Sequence, residues 1–484
     1  MNKRYLTLLL VAFVALDLAF TYWQSYQLPM DGDLVAIVLP APWYTQVLHD
    51  PFGWAVLAKH EVYGAPNRFF AHASMGLYWK AVPRLLHLLT NPISSLYAAS
   101  ALFTTAVQAL LLLLLAAYVR QAVAGPAAGR GSFWVAAALL VPLFQVNGYN
   151  EQMGITNRAV TYTFFYALPM GLLLLVLWPF YRAACQQQPL RVGPLQALLL
   201  LGLMVVVAFN GPVATASVAI VLLGIALAWA WEQVQARRRG TGAVVGGVSS
   251  WLSWQAVGLL GALGALCLYS LYIGRNNSEN SHDHSLGELY RLLPVGVAKM
   301  MTWQAGLPIL VGLILINYLL VIKLAAPSAA RQRVLLLLRW VAFFAVVYML
   351  LLPFGGYRSY RPYLLRNDSA LPVLLTLLFT YGLTTYFLLF QLTGRLRAGY
   401  LGAVLVVAGF FMYADRKVHL PNDNGCERWS LDQLSRAPEP VVQLSSFCNV
   451  LAWSPIGEAS QSEYNAQMLY YWGITPVKKL YYNK

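Results

Sequence analysis

Long apolar runs separated by short polar breaks dominate the chain. They lie near 5–25, 94–119, 132–147, 159–181, 194–209, 213–233, 250–273, 306–325, 335–353, 369–391 and 399–414. Each is close to the roughly 17 to 25 residues that cross a hydrocarbon core of about 30 Å as a helix. Strands of a transmembrane barrel would alternate apolar and polar residues with a period of two, and these runs do not. Backbone groups at lipid depth must be satisfied within helices. The pattern therefore predicts an all-α integral membrane protein, a polytopic bundle of about 11 transmembrane helices with an extracytoplasmic cap.

The breaks are unequal. The first, 27–93, is too long for a simple connection. Within it, "FFAHASMGLYWKAVPRLLHLL" interleaves aromatic and leucine residues with Lys80, Arg84 and His87, as expected of a helix lying in the headgroup plane. Later breaks include "NGYNEQMGITNR", "FNGPV", a polar stretch beginning "GRNNSENSHDHS", and "FGGYRSYRPYLLRND". The organisation expected is a transmembrane domain over 1–414, with 27–93 as its long first extracytoplasmic loop, and a small extracytoplasmic C-terminal segment over 415–484. There is no internal repeat of the kind many secondary transporters show.

Composition agrees with the pattern: 59% of residues are hydrophobic and only 11% charged, with a mean hydropathy of +0.57. The formal charge of +15 is a matter of sidedness. Fifteen of the 33 Lys and Arg residues fall on one set of breaks, opposite the single acid Glu232, which marks that face as cytoplasmic. The basic excess is thus a topology signal and no argument for nucleic acid. Alternating spans place the N-terminus in the cytoplasm and the C-terminus outside, in the plasma (inner) membrane. The first span starts basic and lacks a small-residue cleavage pattern, so it reads as a retained anchor.

All seven histidines and nearly every acid then face outward. Of the four cysteines, Cys185 falls in a cytoplasmic loop and Cys267 in a span, whereas Cys426 and Cys448 share the outer tail, where a disulfide can persist. Asp17 stands alone within the first span.

Candidate chemistry begins at "PMDGD", just past the first span. Asp31 and Asp33 form a D-x-D pair, which is also good turn chemistry. Nucleotide sugars are cytoplasmic, so a sugar donor on this face would be lipid-linked, with its phosphate at the interface. Transfer from it needs a carboxylate to take the acceptor hydroxyl's proton and cations to stabilise the departing phosphate. In "GGYRSYRPYLLRND", Arg358, Arg361 and Arg366 are arginines on the side that the positive-inside bias disfavours. Their planar guanidiniums suit a phosphate, and with the tyrosines between them they also suit interfacial anchoring.

With these features the chain resembles the GT-C class of integral-membrane glycosyltransferases, which use polyprenyl-phosphate sugars. The resemblance covers the many spans, the acids soon after the first helix, the interfacial helices of the first outer loop and the outer C-terminal portion. It implies a polyprenyl-phosphate-sugar donor bound from the membrane lipids and an extracytoplasmic acceptor, a glycolipid or cell-surface glycan of the cell envelope. It also implies a catalytic base early in the first outer loop, here Asp33 or Asp31. Some members of the class need a divalent metal and others do not.

Further polar residues crowd the same loop: His49, Asp50, Arg68 and His72 are candidates to line a substrate pocket, with Asp50 an alternative base. His282, Asp283 and His284 are weak metal candidates, since adjacent ligands in a flexible stretch converge poorly. Two other readings remain. A transporter or flippase of lipid-linked substrates would place ionisable residues deep in the spans, where only Asp17 lies. A glycan polymerase or ligase would share the outer arginines but carry its key residues in a later loop.

Overall fold

The computed structural model describes residues 3–124, 131–239, 247–280, 283–417 and 423–483. Every apolar run becomes a helix. Among the described residues nine helices are long and apolar enough to cross a membrane, the first Arg4–Tyr26 and the last Gly394–Arg416. The runs expected at 132–147 and 194–209 form shorter apolar helices, Ser132–Leu143 and Pro194–Ala208. Both are cut short by local chemistry. The former ends in a 3-10 turn at Pro142, and the latter starts on Pro194 and stops before Gly211 and Pro212.

Hydrogen bonds between breaks sort them into two groups at opposite ends of the bundle. At one end Leu190 N–H donates to the Trp251 carbonyl, Val248 N–H to Glu232, and Arg333 to the Ala122 carbonyl. At the other end Phe70 N–H donates to Phe209, Tyr63 pairs with the strand-like segment at Asn277, Asn367 donates to the Asn150 carbonyl, and Asn424 N–H donates to Gln27. These contacts fall at alternating ends along the chain, as successive crossings of a bundle require.

The long first break is built from short helices, Leu34–Val38, Pro42–His49 and Trp54–Lys59, followed by Phe69–Leu86. The last buries Ala71, His72, Met75 and Trp79 on one face and exposes Leu77 and Leu85 on the other, the amphipathic arrangement expected of a helix at a membrane surface. A second amphipathic helix, Leu286–Thr302, starts with a capping box in which Ser285 and Glu288 satisfy each other's backbone donors.

The C-terminal segment packs onto this end. Helix Gly425–Arg436, helix Glu463–Tyr471 and a parallel strand pair, Val441–Leu444 with Leu480–Asn483, form a small α/β unit. It is anchored by the buried Trp472, whose indole donates to the Trp79 carbonyl at 2.9 Å. Arg428 lies between the rings of Tyr26 and Tyr97, 4.5 and 3.9 Å from their centroids. Cys426 and Cys448 are joined in a disulfide with a Cα separation of 6.1 Å. Cys185 and Cys267 are free and buried, and Cys185 belongs to the helix Leu168–Gln186 rather than to a loop.

Candidate functional site

The first aspartate pair divides into two environments. Asp31 is buried, and its carboxylate accepts from the N–H groups of Asp33, Leu34 and Thr161 and from the Thr161 hydroxyl. It therefore closes the turn and ties the first break to residue 161. Burial pushes its carboxyl up to about 6, against the lowering by these donors. Asp33 occupies the cap position of helix Leu34–Val38, yet its side chain makes no cap bond. Its Oδ1 accepts only the Trp453 indole N–H at 3.0 Å, and Oδ2 has no partner among the described residues. The turn chemistry thus falls to Asp31, and Asp33 is left free to face the cavity.

That cavity has a volume of about 650 Å³ and is lined by Asp33, Tyr44, Arg68, Arg158, Tyr162, Tyr166, Glu279, Arg358, Arg366 and Trp453, among others. Residues from six segments converge on it, all at one end of the bundle. One wall begins with a single π-helical turn, Thr163–Ala167, in the helix that continues to Gln186. Such turns re-aim side chains and are frequent at functional sites; here the turn presents Phe165 and Tyr166 to the cavity.

Arg68 is the most unusual side chain in this wall. It is 7% exposed, its Nε has no hydrogen-bond partner, and no carboxylate among the described residues forms an ion pair with it. Its guanidinium lies over the rings of Phe165 and Tyr166, 5.5 and 5.8 Å from their centroids. A turn brings Arg68 here: its N–H donates to Ala65, which has a left-handed backbone. Gly211, whose φ of +129° favours glycine, packs against the Arg68 stem. Arginine stays charged in proteins, and the Glu279 carboxylate, though beyond ion-pair distance, offsets part of the cost of burying this one. Glu279, which also pairs with Arg358, acts on Arg68 through space, so the two guanidiniums share one carboxylate.

The other arginines are partnered to different degrees. Arg358 pairs with Glu279 at 2.9 Å, and Glu279 also accepts the Tyr44 hydroxyl. Burial pushes the Glu279 carboxyl up, but Arg68, Arg358 and Tyr44 outweigh it and hold the group below its ordinary value. Arg361 and Arg366 both pair with the buried Asp368, and Arg361 donates to the Tyr166 hydroxyl at 2.7 Å. These two guanidiniums thus share one carboxylate and keep one net positive charge between them. Arg68 and Arg358 line both this cavity and its neighbour, while Arg366 lines this one and Arg361 the neighbour.

The neighbouring cavity, about 310 Å³, shares Arg68, Tyr166 and Arg358 with the first and continues between helices along Val213, Ala216, Ile220, Leu271, Tyr348 and Leu351. A charged chamber thus shares a wall with a mainly apolar slot between helices.

Other expected pocket residues lie elsewhere. Asp50 is buried and accepts from Trp54 N–H, Ala55 N–H and the Tyr63 hydroxyl, so it braces the start of helix Trp54–Lys59 and lines neither cavity. His49 is exposed at the end of its short helix and lines neither cavity. His72 is buried between Tyr44 and Phe165 with both ring nitrogens unpartnered, and burial pushes it down to about 3, so it stands neutral behind the wall. His282 lies outside the described residues. His284 sits edge-on to the Tyr357 ring and near Glu288, and no group of three potential metal ligands occurs among the described residues. Asp17 is half-buried in the first helix, on the side facing Asp415. Asp415 in turn accepts the N–H groups of Val146, Asn147 and Gly148.

Glu279, Tyr44, Arg158 and Trp453 belong to the cavity without having been singled out in the sequence. Glu279 was hidden in a stretch whose polarity suggested mobility, and Trp453 lies about 420 positions from its partner. The scarcity of acids in the chain was the one signal available for Glu279. No protein-family model matches this chain, and no curated protein matches it as a relative.

Proposed function

We propose that this protein is a membrane glycosyltransferase that moves a sugar from a polyprenyl-phosphate carrier to an acceptor on the extracytoplasmic side. The observation that carries the reading is one chamber lined by Asp33, with one open oxygen, and by the buried Arg68, next to a mainly apolar slot between helices that shares Arg68 and Arg358 with it. A lipid-linked sugar phosphate has three matching parts: a chain for the slot, a phosphate for Arg68 and Arg358, and a sugar for the larger chamber. The sidedness rests on the Lys and Arg distribution, which puts the chamber outside.

In the reaction the acceptor hydroxyl attacks the anomeric carbon. A new carbon–oxygen bond forms to the acceptor, and the bond from that carbon to the phosphate oxygen breaks. The hydroxyl proton passes to Asp33, whose Oδ2 is open. The bonding pair leaves with the lipid phosphate, whose growing negative charge Arg68 and Arg358 stabilise in a low-dielectric wall.

The test is transfer by the purified protein in nanodiscs, given radiolabelled polyprenyl-phosphate sugars and a membrane extract as acceptor. Label should move from lipid to acceptor. Labelled lipid crossing the bilayer with no donor consumed would replace this reading with that of a carrier.

A further inference from the structure

Trp453 presents a combination that packing alone does not explain. Its indole N–H is anchored on Asp33, yet the side chain remains 54% exposed and lines the large cavity. Its ring lies nearly parallel to Tyr162, at 19° with centroids 6.0 Å apart. Around the same cavity stand Glu151, Asn157 and Arg158, whose planar polar groups can each engage two neighbouring hydroxyls.

The ring is also held in place with unusual care. Glu427, buried, accepts Met30 N–H and the Tyr97 hydroxyl on one oxygen and Leu451 N–H on the other. One carboxylate therefore ties the segment before Asp33 to the segment before Trp453. Asn449 donates to the Trp453 carbonyl, and the Cys426–Cys448 disulfide closes the same loop onto the helix bearing Glu427. A Cβ at Gly32 would stand 2.5 Å from Trp453 N, so the two chains meet as closely as backbones can. Holding a large ring rigid and uncovered beside a reactive group is how a binding surface is preorganised.

We infer that Trp453, with Tyr162 and the polar groups beside them, forms a saccharide subsite, and that the acceptor is a sugar ring stacked on the indole. The inference deepens the glycosyltransferase reading and rests on it for the word acceptor. A pyranose has one face of C–H groups that suits an aromatic ring and a rim of hydroxyls that suits amide, guanidinium and carboxylate groups. A sugar on Trp453 brings a rim hydroxyl to the open oxygen of Asp33, because the same indole fixes the other oxygen. The C-terminal segment is then the part of the chain that selects the acceptor.

Saturation-transfer NMR tests this without any donor. The full-length protein in nanodiscs is given the methyl glycosides of glucose, galactose, mannose and N-acetylglucosamine, and wild type is compared with Trp453→Ala, Trp453→Phe and Trp429→Ala. Trp429 is a second exposed tryptophan of the tail. At least one glycoside should show saturation at its ring C–H groups. The effect should drop about tenfold in Trp453→Ala, the scale of an aromatic stacking contribution, and persist in Trp453→Phe and Trp429→Ala. No binding by wild type, or equal binding by Trp453→Ala, overturns the subsite. Equal loss in Trp453→Phe and Trp453→Ala also overturns it, since the indole N–H and not the ring face would then be what matters. Glycoside binding that depends on Trp453 in a protein that transfers no sugar leaves the subsite standing and removes the glycosyltransferase reading; transfer without such binding does the reverse.

Discussion

Asp31 and Asp33 are separated by one residue and have opposite surroundings: the first is buried with four hydrogen-bond donors around it, the second keeps one oxygen open to a cavity. Asp31→Asn puts an NH₂ group where only donors point, which costs about 1–3 kcal/mol. Asp33→Asn disturbs one exposed hydrogen bond. Thermal unfolding of the two variants in nanodiscs should show a lowered Tm for Asp31→Asn and a Tm close to wild type for Asp33→Asn.

Arg68 should show the reverse of a structural residue. Arg68→Met removes a buried cation that has no direct ion pair while keeping its stem, and Glu279 keeps Arg358 as its partner, so Tm should change little. Affinity for a polyprenyl-phosphate donor should fall at least about tenfold, the scale of one charge-assisted phosphate contact. Arg68→Lys should recover part of that affinity, because it keeps the charge and loses the planar fork. Donor binding and Tm measured on the same preparations separate the two effects.

Asp368 holds two guanidiniums at once, those of Arg361 and Arg366. Burial pushes its carboxyl up, but the two arginines outweigh that and hold it below the usual carboxylate range. Asp368→Asn would leave both cations uncompensated, at a cost of about 3 kcal/mol or more. The expected result is a strongly lowered Tm, with Arg366→Met far milder. Equal effects from the two variants would mean that the pair contributes little.

The tie between the tail and the first break depends on pH. Burial pushes the Glu427 carboxyl up to about 7, against the lowering by Leu451, Met30 and Tyr97, and pushes Asp31 up to about 6. In the unfolded chain both titrate near the ordinary 4.5 and 3.8. The folded state thus binds more protons in this window, and stability falls as pH rises through it. Tm followed from pH 5 to pH 8 should decline, and the slope should shrink in Glu427→Gln.

The spans were legible because lipid imposes one solution on a long apolar run, whereas the two shortened helices end on Pro142 and at the Gly211–Pro212 break, whose effects are local. The acids after the first span were legible from their scarcity. What separated Asp31 from Asp33 was not, because Asp31 is satisfied by Thr161, far along the chain. Arg358, Arg361 and Arg366 stood out by sidedness, but Asp368 sits beside Arg366 in sequence and its pairing role appears only when the chain turns back on itself. Arg68 looked like one polar residue among several, since burial without a direct ion pair is a property of packing.

The central claim is that Asp33 is the base of a sugar transfer from a lipid phosphate. The direct measurement is single-turnover transfer by Asp33→Asn beside wild type, with binding of the labelled polyprenyl-phosphate donor measured on the same nanodiscs. Donor binding should be unchanged and transfer should fall by at least about a hundredfold, the lower range for loss of a general base. Transfer at the wild-type rate by Asp33→Asn would contradict the account.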